Sequence, residues 1–203
     1  HAMKQKTNVS SVALLLARYC DTILRERKSA TDDEVMEKNI TKAVLVFKFI
    51  DDKDVFGNLF TQHLGRRLIN FLSCSIEFEE LIVQRFQEES STKYTNKMTM
   101  IINDVKLSAE RTKEFSKFCR ETNQVSQFKS NFIVIQAFVW QEQLKQYYSC
   151  FMPNEIERCI SMFEVFYDSK FSGRKLLWQY DYCTCEVSLA YLDKPYYVEA
   201  PMQ

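Results

Sequence analysis

The sequence predicts a mainly α-helical fold with a small α+β part: an amphipathic helical bundle followed by a short mixed or antiparallel sheet with one helix. Only 3 Gly and 3 Pro occur in 203 residues, too few for an all-β design with many tight turns. Apolar residues form 46% of the chain, which is enough for a sizeable core. Apolar residues also recur at helical spacing through the first part of the chain and lose that spacing after about residue 123.

The bundle, which we place at 7–122, begins with two amphipathic segments. The first runs from residue 10 to about residue 28. Its inward face is predicted to consist of Val12, Leu15, Leu16, Tyr19 and Ile23. The second begins at a capping-box pattern, Thr31 with Glu34 three residues later. Its inward face is predicted to consist of Met36, Ile40, Ala43, Val44, Phe47 and Ile50.

Three further helices complete the predicted bundle. The third follows Asp51 and Asp52, which offer an N-cap, and the fourth covers 77–89. The fifth covers 94–105 and continues or restarts over 108–120. The third and fourth are expected to bury Phe56, Leu59, Phe60, His63, Leu64, Leu68, Phe78, Leu81, Ile82 and Phe86. Helices with such apolar faces must pack against one another, which predicts a bundle.

The second part of the chain, 128–203, is predicted to form a small α/β unit. Its short apolar segments predict strands at 132–135, 175–180, 185–192 and 196–199. One helix is predicted from residue 153 to about residue 170. Ser172 and Gly173 are expected to end the chain's helical course there, because glycine adopts positive φ angles without a steric penalty.

Composition excludes several classes of function. The 27 basic and 27 acidic residues cancel, so no global positive field favours nucleic acid. No apolar run approaches the roughly 20 residues of a membrane-spanning helix. The chain has 7 Cys, an odd number with scattered spacing. We therefore expect reduced thiols and a cytoplasmic and nuclear location.

No pattern of residues predicts catalysis or metal binding. The acidic run at 51–54 lacks the alternating oxygen ligands of a calcium loop, and a helix junction is the simpler interpretation. Cys183 and Cys185 have no second Cys or His pair, and His63 has no nucleophile at a suggestive spacing. We expect no catalytic residue, no metal and no cofactor. The rival hypothesis, an enzyme or metal protein, would use Cys183, Cys185 and His63.

Distant segments of the chain carry a family resemblance. Residues 51–56 read DDKDVF and residues 63–69 read HLGRRLI, whereas residues 171–178 read FSGRKLLW. Residues 15–21, LLARYCD, are similar to the segment LLAKYCD of the cullins. In this order and at this distance the segments resemble the cullin family, the scaffolds of RING-type ubiquitin ligases. Stretches at 93–98 and 163–167 resemble the family as well.

The resemblance implies a non-catalytic scaffold segment of a cullin-RING E3 ubiquitin ligase. Its first partner would be a small RING-box protein, one strand of which joins the cullin sheet by β-augmentation. The RING-box protein would in turn hold the ubiquitin-conjugating enzyme, and a cullin exchange factor is a further implied partner. The candidate docking residues are Leu176, Trp178, Val187, Leu189 and Tyr197.

A second implied surface is basic. Its candidate residues are Arg66, Arg67, Lys93 and Lys97. The simple interpretation is a solvated basic helix face. The resemblance implies the sharper one, a patch for an acidic part of the conjugating enzyme.

The sequence also departs from the family pattern. Where cullins usually read SG-x-WP, residues 136–141 read QAFVWQ, so that turn must be built differently. Cys185 stands where Gly usually precedes Glu-Val, although 185–187 and 191–196 resemble animal cullin-two. The adaptor-binding repeats and the winged-helix region of a full cullin are not in this sequence. An alternative function is therefore a truncated cullin-like regulator or decoy, which binds cullin partners without supporting ubiquitylation.

Overall fold

The computed structural model describes residues 2–25, 33–90, 92–123, 128–140, 152–189 and 196–201. These residues are mainly helical. The helices are α1 Ala2–Arg25, α2 Asp33–Lys48, α3 Lys53–Ile69, α4 Ile76–Glu89, α5 Thr92–Glu121 and α6 Asn154–Lys170, and the strands are β1 Thr184–Leu189 and β2 Tyr196–Pro201. A single 3₁₀ turn at Tyr180–Tyr182 precedes β1. Within the described part of the chain, no helix is long and apolar enough to cross a membrane.

Two compact units divide the chain. Unit 1 contains His1–Leu107 and Ile133–Gln143, and unit 2 contains Ser108–Phe132 and Leu144–Gln203. The division falls inside α5, which is one continuous helix where the sequence left open a restart after 105. The domains assigned from sequence, 7–122 and 128–203, stay a prediction.

In unit 1 the core is centred on four phenylalanines from three helices. Phe47 of α2 lies 4.7 Å from Phe86 of α4, measured between ring centroids. Phe56 and Phe60 of α3 lie 5.1 and 5.4 Å from the same Phe86 ring. Tilted and edge-on pairs at these distances add about 0.5–1.5 kcal/mol each beyond their buried area. The predicted inward faces of α2 and α3 therefore meet in one cluster, although Val44, Leu59 and His63 are only half-buried.

The buried face of α1 differs from the prediction. Val12, Leu15 and Tyr19 were expected inside but are exposed, Leu15 by 62%. The residues that α1 buries are Ala13, Leu16, Ala17, Cys20 and Leu24. Because α1 packs on α3 and α2, and small side chains allow helix axes to approach closely, the alanine-rich face is the one buried. The prediction was therefore right for Leu16, but it chose Val12, Leu15 and Tyr19 over the smaller neighbours that are buried.

The N-terminal caps of α3 and α4 differ in whether the cap side chain makes a hydrogen bond. Asp52 is the N-cap residue of α3, as predicted, but its side chain makes no capping hydrogen bond. Ser75 caps α4, where its hydroxyl accepts from the backbone N–H of Glu77 at 3.1 Å and donates to the Glu77 carboxylate. This reciprocal arrangement fixes where α4 begins.

Unit 2 has an aromatic core. Phe132 stacks on Phe163 of α6 with a centroid distance of 4.0 Å. Phe115 of α5 meets Phe163 edge-on at 5.2 Å and Phe166 at 5.6 Å. All but Phe132 are nearly fully buried. The buried contacts between these two helices are thus made by aromatic rings, and the exposed ion pair of Lys170 with Glu114 at 2.8 Å joins them at the surface.

The predicted sheet is wrong in extent. Segments 132–135 and 175–179 are not strands, and the described residues form one two-stranded antiparallel sheet, β1 with β2. At 132 the reason is visible, because Thr112 of α5 takes the place of a neighbouring strand. Its hydroxyl accepts from the Phe132 N–H at 3.1 Å and donates to the Phe132 carbonyl at 3.2 Å. A helix side chain thus satisfies backbone groups that a ladder would otherwise use.

The turn at 136–140 is built without the usual Gly and Pro. The Val139 N–H donates to the Gln136 carbonyl at 2.9 Å, and Trp140 is fully buried. Asp104 of α5 holds both ends of the turn. Its carboxylate accepts from the Gln136 backbone N–H at 2.9 Å, the Gln136 Nε2 at 2.8 Å and the Trp140 Nε1 at 3.0 Å. The turn is therefore built differently, as predicted, and a buried carboxylate fixes it.

Candidate docking site and the motif residues

The segment 175–179 lies against α6 without strand hydrogen bonds. Trp178 is half-buried, and its Nε1 donates to Glu164 Oε1 at 2.6 Å. The indole ring meets Phe132 and Phe163 edge-on at 6.0 and 6.1 Å. Leu176 is half-buried, whereas Leu177 is 56% exposed. Trp178 thus anchors the segment, and Leu177, which the sequence did not single out, presents apolar surface.

The strands β1 and β2 carry the other predicted docking residues. Val187 pairs with Val198, and Leu189 pairs with Tyr196. Tyr197 pairs with Ser188, the residue between Val187 and Leu189. Successive residues of a strand alternate between the two faces of a sheet, so Tyr197 lies at a position of the opposite face from Val187 and Leu189. Each strand has one hydrogen-bonded neighbour among the described residues, and its other edge faces no strand there.

The turn from α6 into this segment follows the prediction. Helix α6 ends at Lys170, and Gly173 adopts φ +79°. The Arg174 N–H donates to the Phe171 carbonyl at 3.4 Å, which closes the turn. A side chain at position 173 would be strained by the backbone conformation, which accounts for glycine.

Two motif segments meet in a buried charge network in unit 1. Arg67, from the HLGRRLI segment, is fully buried and makes a bidentate pair with Glu79, with Nε and Nη2 each 2.8 Å from a carboxylate oxygen. Its Nη1 donates to Asp21 Oδ1, from the LLARYCD segment, at 2.7 Å. Arg25 lies 2.9 Å from the other Asp21 oxygen, and Ser73 donates to Glu79 at 2.7 Å. The network joins α1, α3 and α4 through charged hydrogen bonds.

Burial and pairing together set the ionisation of this network. Burial alone would lower the pKa of Arg67, but the hydrogen bonds that Arg67 donates to Glu79 and Asp21, together with the negative charges of these carboxylates, outweigh burial and raise that pKa above its ordinary value. Burial alone would raise the pKa of Asp21, but the hydrogen bonds from Arg67 and Arg25 hold it below its ordinary value. Both groups are therefore charged at neutral pH, and each stabilises the other.

His63 and Cys20 border the same network. His63 Nδ1 lies 3.5 Å from Asp21, yet burial and the nearby arginines lower the pKa of the imidazole. Burial raises the pKa of the Cys20 thiol to about 12, so it is not a thiolate at neutral pH. The Cys20 thiol therefore lacks the ionised form of an activated nucleophile, and burial disfavours the imidazolium form of His63.

The predicted basic patch is wrong in one member. Arg66 is exposed, but Arg67 is fully buried and already paired, so it cannot meet a partner protein. Lys97 is half-buried in α5, and the side chain of Lys93 lies outside the described part of the structure. Two adjacent arginines on a helix point in different directions, and only a buried carboxylate partner, invisible in the sequence, reveals which one turns inward.

Residues of the rival metal or enzyme hypothesis have ordinary surroundings. Cys183 Sγ contacts the Gln179 carbonyl oxygen at 3.6 Å, and the side chain of Cys185 is not among those described. Across the described ranges, no three His, Cys, Asp or Glu side chains come together in a way that could hold a metal ion. The absence of a cofactor stays a prediction.

Comparison with known proteins matches both parts of the chain to one family. Residues 1–112 match the family described as cullin alpha solenoid domain, and residues 134–202 match the cullin alpha+beta domain. Caenorhabditis elegans Cullin-1 is 30% identical over 191 residues, which are 94% of this chain and 24% of that protein. Dictyostelium discoideum Cullin-5 is 31% identical over 90% of this chain and 24% of its own length.

Caenorhabditis elegans Cullin-2 is 29% identical over 89% of this chain and 25% of its own length. Identities of 29, 30 and 31% do not separate the cullin types, so the similarity to cullin-two stays a prediction. The chain spans about a quarter of the length of these curated relatives. With a family match over more than half of its residues, and with the motif segments joined as described, the chain belongs to the cullin family.

Proposed function

We propose that this chain is a non-catalytic scaffold segment of a cullin-RING E3 ubiquitin ligase. In this proposal unit 2 docks a small RING-box protein, which recruits the ubiquitin-conjugating enzyme. The single observation that supports it best is the antiparallel pair of β1 and β2, because each strand has an outer edge without a strand neighbour in the described structure. Such an edge can accept a further strand by β-augmentation, in which the added strand supplies backbone hydrogen bonds.

The segment around Trp178 supports the same site. The edge-on contacts with Phe132 and Phe163 and the hydrogen bond to Glu164 fix the indole on α6. Leu177 next to it is exposed by 56%. A partner that adds a strand near this segment would gain an anchored aromatic edge and an exposed apolar side chain, the features typical of interface cores.

Unit 1 would serve as a stiff element of the scaffold. Three of its helices are tied by the network of Arg67, Glu79 and Asp21, whose charged hydrogen bonds are directional. A scaffold raises the effective concentration of the charged conjugating enzyme near its target, and it does so only while its geometry is fixed. The described cysteines are free thiols, which agrees with the proposed cytoplasmic and nuclear location.

Of the two arginines in the predicted basic patch, only Arg66 is accessible to a partner protein. Arg66 is the exposed arginine of the predicted patch, and Lys97 is half-buried. Contact with an acidic part of a conjugating enzyme at Arg66 remains part of the proposal. Arg66→Glu would weaken such contact, whereas unchanged affinity for the conjugating enzyme would remove this surface from the account.

Co-expression with a small RING-box protein tests the docking proposal. We expect a stoichiometric complex in affinity capture and size exclusion, retained when Arg66 is changed. A well-folded chain that binds no RING-box protein would overturn the docking proposal. In that outcome a regulator that binds other cullin partners, such as an exchange factor, becomes the function to test.

Proline substitutions test the mode of docking. In an antiparallel ladder, successive residues direct their N–H groups alternately to the partner strand and outward. Proline at Val187 and proline at Ser188 therefore remove one inward and one outward donor of β1. Strand addition on β1 predicts that one of the two variants keeps the hairpin but loses RING-box binding. If both variants bind as the parent does, and the same pair at Tyr197 and Val198 of β2 also binds, strand addition is wrong.

A further inference from the structure

Two arginines share one aromatic ring at the end of α6. The guanidinium carbon of Arg111, from α5, lies 5.3 Å from the centroid of the Phe171 ring. The guanidinium carbon of Arg174 lies 5.2 Å from the same centroid. A ring face attracts cations, so Phe171 holds both positive groups beside the turn that follows α6. All three residues belong to unit 2.

These two guanidinium groups have no carboxylate partner among the described side chains. The neighbouring Lys170 is different, because its Nζ lies 2.8 Å from Glu114 Oε2. Lys175 adds another exposed positive charge directly after Arg174. The surface around Phe171 therefore has an excess of positive charge in a geometry that leaves two planar, five-donor groups available to an anion.

Ser172 lies in the chain between Phe171 and Arg174 of this surface. It directly follows Phe171, it is exposed, and it occupies the turn closed by the hydrogen bond from the Arg174 N–H to the Phe171 carbonyl. Gly173 beside it is exposed and has nothing within 4 Å of a built Cβ, so this part of the turn faces open space. An exposed turn with an accessible hydroxyl and basic residues on its C-terminal side is the kind of segment that fits the active site of a protein kinase.

We propose that Ser172 is a phosphorylation site and that Arg111 and Arg174 bind the resulting phosphate. The donor is a nucleoside triphosphate, and a serine/threonine kinase that prefers basic residues after the serine catalyses the transfer. A bond forms between Ser172 Oγ and the γ-phosphorus, the bond from that phosphorus to the β-γ bridging oxygen breaks, and the hydroxyl proton leaves to solvent. The nucleoside diphosphate departs with the electron pair of the broken bond.

The phosphate on Ser172 would connect the turn after α6 to α5 through hydrogen bonds with Arg111. A phosphoserine brings a charge of about −1.5 to −2 and three strong acceptor oxygens, and arginine binds such groups with two parallel hydrogen bonds. Arg111 is on α5, whereas Ser172 and Arg174 are in the turn that leads to Leu176 and Trp178. The modification would therefore fix the entry to the predicted docking segment, but it does not depend on a RING-box partner.

A titration of the phosphate tests the binding half. Phosphoserine is incorporated at position 172 of the full chain, and its second pKa is followed by phosphorus NMR. An unpartnered phosphoserine has a second pKa of about 6. We expect a value lower by about 1 pH unit in the parent, because guanidinium groups favour the dianion. In the double variant Arg111→Gln/Arg174→Gln the value returns to about 6.

A matched control is phosphoserine at Ser161. This serine is exposed on α6, where its hydroxyl donates to the Glu157 carbonyl at 3.0 Å, and the two carboxylates within one turn, Glu157 and Glu164, outnumber the one cation, Arg158. Its phosphate should show no such lowering. The same pKa at 172 in the parent and the double variant would overturn the phosphate clamp. Loss of folding on phosphoserine incorporation at 172 would overturn it too, because an exposed turn with positive neighbours must accept the group.

The modification half has its own test. The purified chain is incubated with ATP and a kinase of the stated preference, and the sites are located by mass spectrometry. We expect Ser172 to be modified in the parent and at least tenfold less in Arg174→Ala/Lys175→Ala. Modification at Ser169 or elsewhere with Ser172 untouched would overturn the assignment of the site. Ser169 is the proper internal comparison, because its hydroxyl donates to the Phe166 carbonyl at 2.7 Å.

Discussion

Both compact units pack aromatic rings between their helices, but among the described residues only unit 1 adds a buried ion pair. Unit 1 joins α1, α3 and α4 through one buried arginine that satisfies two carboxylates. Unit 2 joins α5 and α6 through stacked and edge-on rings around Phe163. Charged hydrogen bonds are directional and fail sharply when one partner is removed, whereas aromatic packing is less demanding in direction. Under the proposed function, the first arrangement suits a spacer of fixed shape, and the second suits a unit that also presents surface to a partner.

Removal of one carboxylate should give the largest effect. Glu79→Ala leaves the Arg67 charge buried with Asp21 as its remaining close partner, and we expect unit 1 to lose about 3–5 kcal/mol of unfolding free energy. Amide hydrogen exchange of unit 1 measures this loss. The control Arg66→Ala changes the adjacent exposed residue and should stay within about 0.5 kcal/mol of the parent. Equal effects of the two variants would contradict the role of the network.

Truncation of the tryptophan should give the next largest effect. Trp178→Ala removes a half-buried ring with edge-on contacts to Phe132 and Phe163, and we expect a loss of about 3 kcal/mol in unit 2. Trp178→Phe keeps a ring but loses the hydrogen bond to Glu164, so it should cost about 1 kcal/mol. Exchange protection of α6 reports both. If alanine costs no more than phenylalanine, the ring does not anchor the segment.

A single polar change tests the turn of unit 1. Asp104→Asn keeps the shape of the side chain but removes its negative charge and replaces one of the carboxylate oxygens that accept hydrogen bonds from Gln136 and Trp140. We expect a loss of about 2 kcal/mol, seen in chemical denaturation and in a red shift of Trp140 fluorescence. Asn103→Asp is a control, since residue 103 is exposed on the same helix. An unchanged emission spectrum in Asp104→Asn would show that the carboxylate does not hold the turn.

Acidification should give the smallest effect and should be confined to unit 1. The pKa of His63 in the folded state lies below its ordinary value of about 6.5, so the unfolded chain takes up the proton first. The unfolding free energy should therefore fall as the pH drops below about 6.5. Asp21, whose folded pKa is also lowered, adds a second decline below about pH 4.

The variant His63→Gln isolates the first of these declines. Its unfolding free energy should change less between about pH 7 and pH 5 than that of the parent, as measured by denaturant titration at each pH. Exchange rates in unit 2, corrected for intrinsic chemistry, serve as the internal comparison. A parent protein that becomes more stable on acidification in this range would contradict the assigned direction of the His63 pKa.

Sequence reasoning reached the helices but not the polar contacts between them. The faces of α2 and α3 followed from spacing, because large apolar residues there recur at helical intervals. The face of α1 did not, because alanine and cysteine packed inward while Leu15 stayed outside. The burial of Arg67 could not be predicted, since its partners Asp21 and Glu79 are 46 and 12 residues away.

The sheet shows the same limit. Strand propensity at 132–135 was real, but Thr112 supplied the hydrogen bonds and left the segment without a neighbouring strand. Of the predicted docking residues, sequence placed Trp178 in a sheet, and the structure anchors it on α6 instead. The motif segments were more informative about family than about contacts, because a motif records which residues recur and not what they touch.

Hydrogen exchange of the complex with a RING-box protein is the most direct test of the scaffold account. We predict that amides of Thr184–Leu189 or Tyr196–Pro201 gain at least tenfold protection in the complex, while the helices α1–α4 of unit 1 keep their exchange rates. A stoichiometric complex in which neither strand gains protection would contradict docking by strand addition.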